Sequence, residues 1–263
     1  DNSIVLFFCT LLIFLIIKHR FFWFGKESSL FEEGKTVMMS HRGYKKTYPE
    51  NTLLSIEDAR ECGFQWVEID LVSTKDKVVL CSHNLDLETE TNGVGYIHDT
   101  VYEKINDLHT GVNSHPLQIQ RIPRLKDVFS RFSKNMKYNL EIKTRSIFDL
   151  ITVKGAVKLA AQMKIEDYMV SSFNPVVILY LKLFQKNVAT AFLLDSVKYM
   201  WLVNWLHPSF VNIRGDLIDS DIISQSKKHG YGLIDWTINS RMGIQFCIKK
   251  SIRAIITDND VSN

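Results

Sequence analysis

Three acidic side chains are placed where an ordinary β-strand does not carry them. In Trp66-Val67-Glu68-Ile69-Asp70-Leu71 the two-residue period puts Glu68 and Asp70 on one face and Val67 and Ile69 on the other. In Tyr138-Asn139-Leu140-Glu141-Ile142-Lys143, Glu141 and Lys143 share a face opposite Leu140 and Ile142. An unpaired buried carboxylate costs several kcal/mol, so aligned acids in strand interiors need a compensating cation. Three oxygen donors of this kind suit Mg²⁺ or Ca²⁺ better than zinc. The bland alternative is that the acids are ion-paired to Arg42 and Lys143 with no metal. Two histidines close further apolar runs, His41 after Val37-Met38-Met39-Ser40 and His83 after Val78-Val79-Leu80. Histidine is suited to proton transfer because both of its forms are accessible near neutral pH. The other six histidines (His19, His98, His109, His115, His207, His229) lack acidic company and read as surface or loop residues.

These groups need a scaffold that brings distant strand ends together. Apolar strand-like runs at 36–40, 66–71, 78–82, 137–142, 168–172, 189–194, 210–213, 231–236 and 253–257 alternate with helical patterns near 52–62, 123–132, 147–163, 174–185, 217–229 and 240–249. The alternation predicts parallel βα units and, at this length, a (β/α)₈ TIM barrel. Nine runs for eight staves, and a 73–77 link too short for a helical crossover, predict an irregular barrel around 66–82. The polar stretch 84–122 reads as an insertion. In such barrels chemistry sits at the C-terminal strand ends, where His41, Asp70, His83 and Lys143 fall.

The chain has 263 residues, 46% hydrophobic, and a net charge of +3. That is enough for one well-buried α/β domain, and too weakly basic to suggest nucleic acid. The four cysteines show neither metal-ligand spacing nor a disulfide framework. From Ile4 to Ile17 only Thr10 is polar, and Lys18-His19-Arg20 and Phe21-Phe22-Trp23-Phe24 follow. As a helix this run spans about 21 Å, short of a bilayer's roughly 30 Å core, but flanking lysine and arginine can snorkel and aromatics suit the interface. The sequence opens on Asp1 rather than methionine, which leaves room for further upstream residues. A cleaved signal peptide is the main rival; the bulky aromatics offer no small-residue cleavage site. The expected organisation is a single-pass N-terminal transmembrane anchor at 1–24, a polar linker at 25–35 and a barrel at 36–263. The basic residues after the span lean the barrel toward the cytosol.

Seven segments in order resemble the glycerophosphodiester phosphodiesterase family: His41-Arg42-Gly43, Pro49-Glu50-Asn51-Thr52, Glu68-x-Asp70, His83, Leu140-Glu141-Ile142-Lys143, Trp236-Thr237-Ile238-Asn239 and Ile255-Ile256-Thr257-Asp258. The resemblance implies that Glu68, Asp70 and Glu141 hold one divalent cation, that His41 and His83 are general acid and base, and that Arg42 and Lys143 grip phosphate. It gives Glu50 a place beside the substrate alcohol or the turn itself, and Trp236 an apolar wall or plain packing. The implied reaction releases an alcohol and glycerol 3-phosphate after a glycerol hydroxyl attacks phosphorus to form a cyclic intermediate. The implied partners are a small glycerophosphodiester or a lysophospholipid, and the lipid bilayer; oligomeric state is not indicated. Two positions depart from the family pattern. Asn84 stands where an aspartate is usual, and Thr89 where an arginine is usual. Barrels of the phosphatidylinositol-specific phospholipase C and sphingomyelinase D kind are the alternative enzymes, and a silent lipid-phosphate-binding domain the non-enzymatic one.

Overall fold

The structure, a computed structural model, describes residues 2–25 and 29–259, so part of the 25–35 segment and the last four residues lie outside the description. Its strands are β1 (Val37–His41), β2 (Trp66–Ser73), β3 (Val79–Cys81), β4 (His109–Thr110), β5 (Gln120–Arg121), β6 (Lys137–Ile142), β7 (Tyr168–Ser172), β8 (Ala189–Leu194), β9 (Phe210–Arg214), β10 (Gly232–Trp236) and β11 (Ala254–Thr257). Its helices are α1 (Asn2–Phe21), α2 (Leu53–Glu61), α3 (Tyr102–Ile105), α4 (Leu125–Phe132), α5 (Ile151–Gln162), α6 (Pro175–Phe184), α7 (Val203–Leu206), α8 (Ser220–His229) and α9 (Arg241–Lys249).

Eight strands close a parallel barrel in the order β1-β2-β6-β7-β8-β9-β10-β11, with β11 returning to β1. The ninth run, β3, pairs antiparallel with Leu71–Ser73, the overhang of β2 beyond the barrel. The short 74–78 link is therefore a hairpin, and it turns the chain outward into the 84–122 segment. That segment carries α3 and the two-stranded β4–β5 ribbon on a small apolar cluster built around Leu80, Leu87, Ile97 and Ile105.

Outward-facing strand residues pack on the helices in two clusters, one around Val67, Ile69, Leu140 and Phe129, the other around Phe192, Val211, Leu233 and Ile255. The closed end of the lumen is filled by Met39, Trp66, Met169, Phe210, Ile234 and Ile256. Phe31 joins this plug, its ring 5.1 Å from both Trp66 and Phe210, so the mostly polar 29–35 stretch includes a side chain buried in the barrel floor.

α1 is 20 residues long, or about 30 Å at 1.5 Å per residue, and Ser3–Phe21 is long and apolar enough to cross a membrane. Only its last turn meets the barrel. His19 lies tilted against His207 at 4.2 Å, and Trp23 lies flat between His207 at 4.3 Å and His229 at 4.7 Å. Trp23 also donates to Asn204 Oδ1 at 3.1 Å. His229 is thus a buried residue holding the Trp23 carbonyl through Nδ1 at 3.1 Å, which corrects its reading as a surface histidine. The correction has a simple origin: its partner lies 206 positions away in sequence.

Candidate active site

The strand register assembles the site. His41 lies beside Glu68, and Asp70 lies beside Glu141, on the rim where β1 and β6 end and β2 runs on beyond the barrel. One oxygen from each of Glu68, Asp70 and Glu141 falls within 4.8 Å of the others. Glu68 and Asp70 are 2% and 0% exposed, and Glu68 Oε1 has no hydrogen-bond partner among the described residues. The other Glu68 oxygen accepts from the Arg42 backbone N–H at 3.2 Å.

The β1–α2 turn is shaped for this. Arg42 and Gly43 take φ of 60° and 80°, and a Cβ on Gly43 would meet Ser55 backbone at 2.6 Å, so only glycine lets α2 approach so closely. Thr52 caps α2, forming a capping box with Ser55. Asn51 is left for another task. Its amide donates to Asp70 Oδ2 at 3.0 Å while its carbonyl accepts the Asp70 N–H at 3.0 Å, which fixes the carboxylate's orientation.

Arg42 Nε lies 3.0 Å from Asp70 Oδ2, and its Nη1 donates to both Glu50 oxygens at 3.0 Å. Lys143 Nζ is 2.9 Å from Asp70 Oδ1 and is also paired with Glu141. Glu50 therefore reaches the site through Arg42. Trp236, at the end of β10, meets Phe173 edge to face at 5.8 Å and donates to the Asn212 carbonyl at 3.2 Å.

Both histidines commit Nδ1 to a neighbouring side chain, which leaves Nε2 as the ring nitrogen for proton transfer. His41 Nδ1 is 2.8 Å from Asp258 Oδ1, and that carboxylate is held by Asn239 Nδ2 at 2.8 Å. Lys45 Nζ closes the group, 3.0 Å from Asp258 Oδ1 and 3.3 Å from His41 Nδ1. His83 Nδ1 sits 3.2 Å from Asn84 Oδ1, so the residue departing from the family pattern still orients the ring, without a charge. The second departure, Thr89, lies in an exposed turn, its N–H on Asp86.

The electrostatics separate the three acids. Burial would raise Asp70, but Lys143, Arg42 and His83 outweigh it and hold that carboxyl at about 2. Burial, then the Asp70 and Glu141 charges, push Glu68 well above the ordinary carboxylate range. Burial and Asp70 raise Glu141 against the pull of Lys143. Burial lowers both histidines, opposed by Asp258 at His41 and by Asp70 at His83.

A charge balance tests whether a metal fits. With all five ionised, Glu50, Glu68, Asp70, Glu141 and Asp258 would outnumber Arg42, Lys45 and Lys143 by two among the described residues. The raised Glu68 and Glu141 register that excess in the absence of a further cation. That excess, an oxygen-only donor set and the unpartnered Glu68 Oε1 fit a hard divalent cation.

Sequence reasoning gave Lys45, Asn51, Asp258 and Asn239 no role in the site. Asp258 was within reach, since it ends an apolar run in the same manner as His41. Lys45 sits in a turn of no distinctive pattern and is identified only by its contacts.

A closed parallel (β/α)₈ barrel with a charged C-terminal rim is an enzyme architecture. The model of the glycerophosphoryl diester phosphodiesterase family matches residues 41–260. A glycerophosphodiester phosphodiesterase of Caldanaerobacter subterraneus is 28% identical over 235 residues, covering 86% of this chain and 95% of the relative. Glycerophosphodiester phosphodiesterase 1 of Mus musculus is 30% identical over 70% of this chain and 58% of its own length. A solved phosphodiesterase of Oleispira antarctica in complex with the product sn-glycerol-3-phosphate superposes with a TM-score of 0.77 at 26% identity, over 85% of this chain and 93% of that one. The chain belongs to the glycerophosphoryl diester phosphodiesterase family, and so to the phosphoric diester hydrolases.

Proposed function

We propose that the chain is a membrane-anchored, metal-dependent enzyme that hydrolyses glycerophosphodiesters to an alcohol and glycerol 3-phosphate. The observation that carries this reading is the convergence of Glu68, Asp70 and Glu141 within 4.8 Å, flanked by Arg42, Lys143 and two histidines. The three acids hold one Mg²⁺ or Ca²⁺. When bound, that cation supplies positive charge to the phosphoryl oxygens, in the kind of preorganised stabilisation that dominates such reactions. Arg42 and Lys143 extend the same field as a planar fork and a point charge, while Asn51 and Glu50 keep Asp70 and Arg42 in place.

His41 and His83 form the proton-transfer pair. One removes the proton from a glycerol hydroxyl as it attacks phosphorus, and the other protonates the departing alcohol. The cyclic phosphate is then opened by water. Phe173 and Trp236, packed edge to face, would offer an apolar wall to the departing alcohol. The segment 1–24 acts as anchor and 36–263 as catalytic barrel, 25–35 joins them while lending Phe31 to the barrel floor, and 84–122 is an insertion over the mouth. The basic Lys18-His19-Arg20 end of the span supports a cytosolic side for the barrel. A lysophospholipid is the second candidate substrate, favoured by Phe148, which stands 81% exposed on the catalytic rim.

The test compares glycerophosphocholine with its 2-deoxy analogue, with Mg²⁺, with Ca²⁺ and with chelator, while phosphorus NMR follows any cyclic phosphate. An intramolecular hydroxyl carries an effective molarity of up to about 10⁵–10⁸ M, so the analogue is expected to bind and remain essentially unreacted. Equal rates for both compounds, with no cyclic species, would transfer the nucleophile's role to water. Full activity in chelator would remove the metal.

A further inference from the structure

We infer that the closed, N-terminal end of the barrel is a second lipid-contacting surface, one that seats on the anionic headgroups of the membrane holding α1, so that the catalytic mouth opens away from that membrane. The inference rests on the reading of α1 as a membrane span.

The geometry at the joint fixes the direction. Among the described residues, the contacts of the α1 end are with the amino-terminal side of the barrel. His207 precedes β9, and His229 and Gly230 precede β10. Gly25 donates its N–H to the His229 carbonyl, and the Trp23 ring is buried against both histidines. The acids and histidines of the candidate active site lie at the other end of the same strands, roughly 10–15 Å along the barrel axis. A tilt large enough to bring that mouth to the bilayer would break the Trp23 stack.

The surface around the joint has the chemistry of a membrane-facing one. α8 and α9 both end there, presenting exposed Lys227, Lys228, Lys249 and Lys250. Between the two helix ends lies a cleft of about 460 Å³. Among the described residues Lys227, Lys250 and Arg253 are its cationic lining, Glu33 is its single acid, and Phe24 borders it. Phe24 and Phe184, at the end of α6, are 75% and 69% exposed on this side. Lysines beside exposed aromatics, continuous with a spanning helix, match a negatively charged interface, where each cation adds about fivefold to partitioning. A cleft of this size accommodates a lipid phosphate.

The consequence concerns the substrate. A lysophospholipid in the same leaflet cannot reach a mouth turned away from it without first leaving the bilayer. The diester therefore arrives from water, which favours a glycerophosphodiester with a soluble alcohol.

The test uses the full chain in phosphatidylcholine vesicles with and without phosphatidylserine, carrying a nitroxide on the lipid headgroup. In a Cys9→Ser, Cys62→Ser background, a dye is placed at Ile248→Cys on the closed end or at Leu117→Cys on the catalytic side. The expected result is quenching several-fold greater at 248 than at 117, a gap that widens with phosphatidylserine and shrinks in Lys227→Glu/Lys250→Glu. Quenching as strong at 117 as at 248, or no response to phosphatidylserine, overturns the inference while leaving the anchor intact. Failure of the chain to float with any vesicle overturns the anchor reading, and this inference with it.

Discussion

The two ends of this barrel are made from the same strands and obey opposite rules. At the carboxyl ends, five carboxylates and three cations are crowded together, and one buried Glu68 oxygen has no hydrogen-bond partner among the described residues. At the amino ends, Phe31, Trp66 and Phe210 fill the lumen ring against ring. A chain optimised only to fold would build both ends like the second. The difference teaches where stability has been given up for chemistry, and it makes the two ends separable by mutation.

The sharpest separation comes from the histidines. His41→Ala and His83→Ala are each expected to lower kcat by about 10²–10⁴-fold while thermal unfolding stays near that of the parent. Near-normal turnover in either variant would make that histidine a structural residue. Next, Glu68→Gln is expected to cost about 10²–10³-fold in activity and yet raise the Tm of the metal-free protein, because it removes one of three crowded like charges. A lower Tm would mean that the acids are already well compensated by Arg42 and Lys143.

The closed end should answer in reverse. Phe31→Ala is expected to destabilise by about 3–4 kcal/mol with kcat unchanged in the folded fraction. A catalytic fragment is accordingly expected to need residues 29–35, and one begun at Thr36 to melt lower. If the two fragments melt together, Phe31 is an ornament of the floor rather than its plug.

A smaller effect lies on the outer wall. Asp235 is buried behind β10, where burial lifts its carboxyl to about 6, and Cys247 Sγ donates to it at 3.2 Å. Between the unfolded value of 3.8 and about 6 the native state holds a proton that the unfolded chain has lost, so stability falls as pH rises through that window. Asp235→Asn is therefore expected to gain about 2 kcal/mol at pH 8 and nothing near pH 4, as read by urea denaturation. The joint with α1 has the opposite sign. Burial and His19 hold His207 at about 4 against an ordinary 6.5, so its contribution is complete above 6.5 and is lost as pH falls toward 4. The expected observation is a modest loosening of the α1 joint over that range, read from Trp23 fluorescence and absent in His207→Phe.

Much of the barrel was legible because its signal is local. β6, β7 and β8 fall on the runs read from the apolar period, and α6 and α9 lie within a residue of theirs, since Asn174 and Ser240 are strong helix caps. Glu68, Asp70 and Glu141 were legible for the same reason, their phase within two strands. What was hidden depends on closure. Asp258 reaches His41 across 217 positions, and Asn51 reaches Asp70 through a left-handed turn. Trp23 looked like interface decoration, and only the fold shows it stacked between two histidines.

One feature of the fold bears on how such an enzyme changes over time. His41 ends a barrel stave, clamped by Asp258 and Asn239, whereas His83 hangs from the three-residue β3 ribbon that launches the 84–122 segment. The proposed proton-transfer pair is thus divided between a barrel stave and a short ribbon outside the barrel. Lengthening, shortening or exchanging that segment re-aims one histidine and reshapes the space for the departing alcohol, and leaves the acid cradle untouched. On the proposed mechanism, editing that single loop would change the alcohol preference and leave the phosphate chemistry in place.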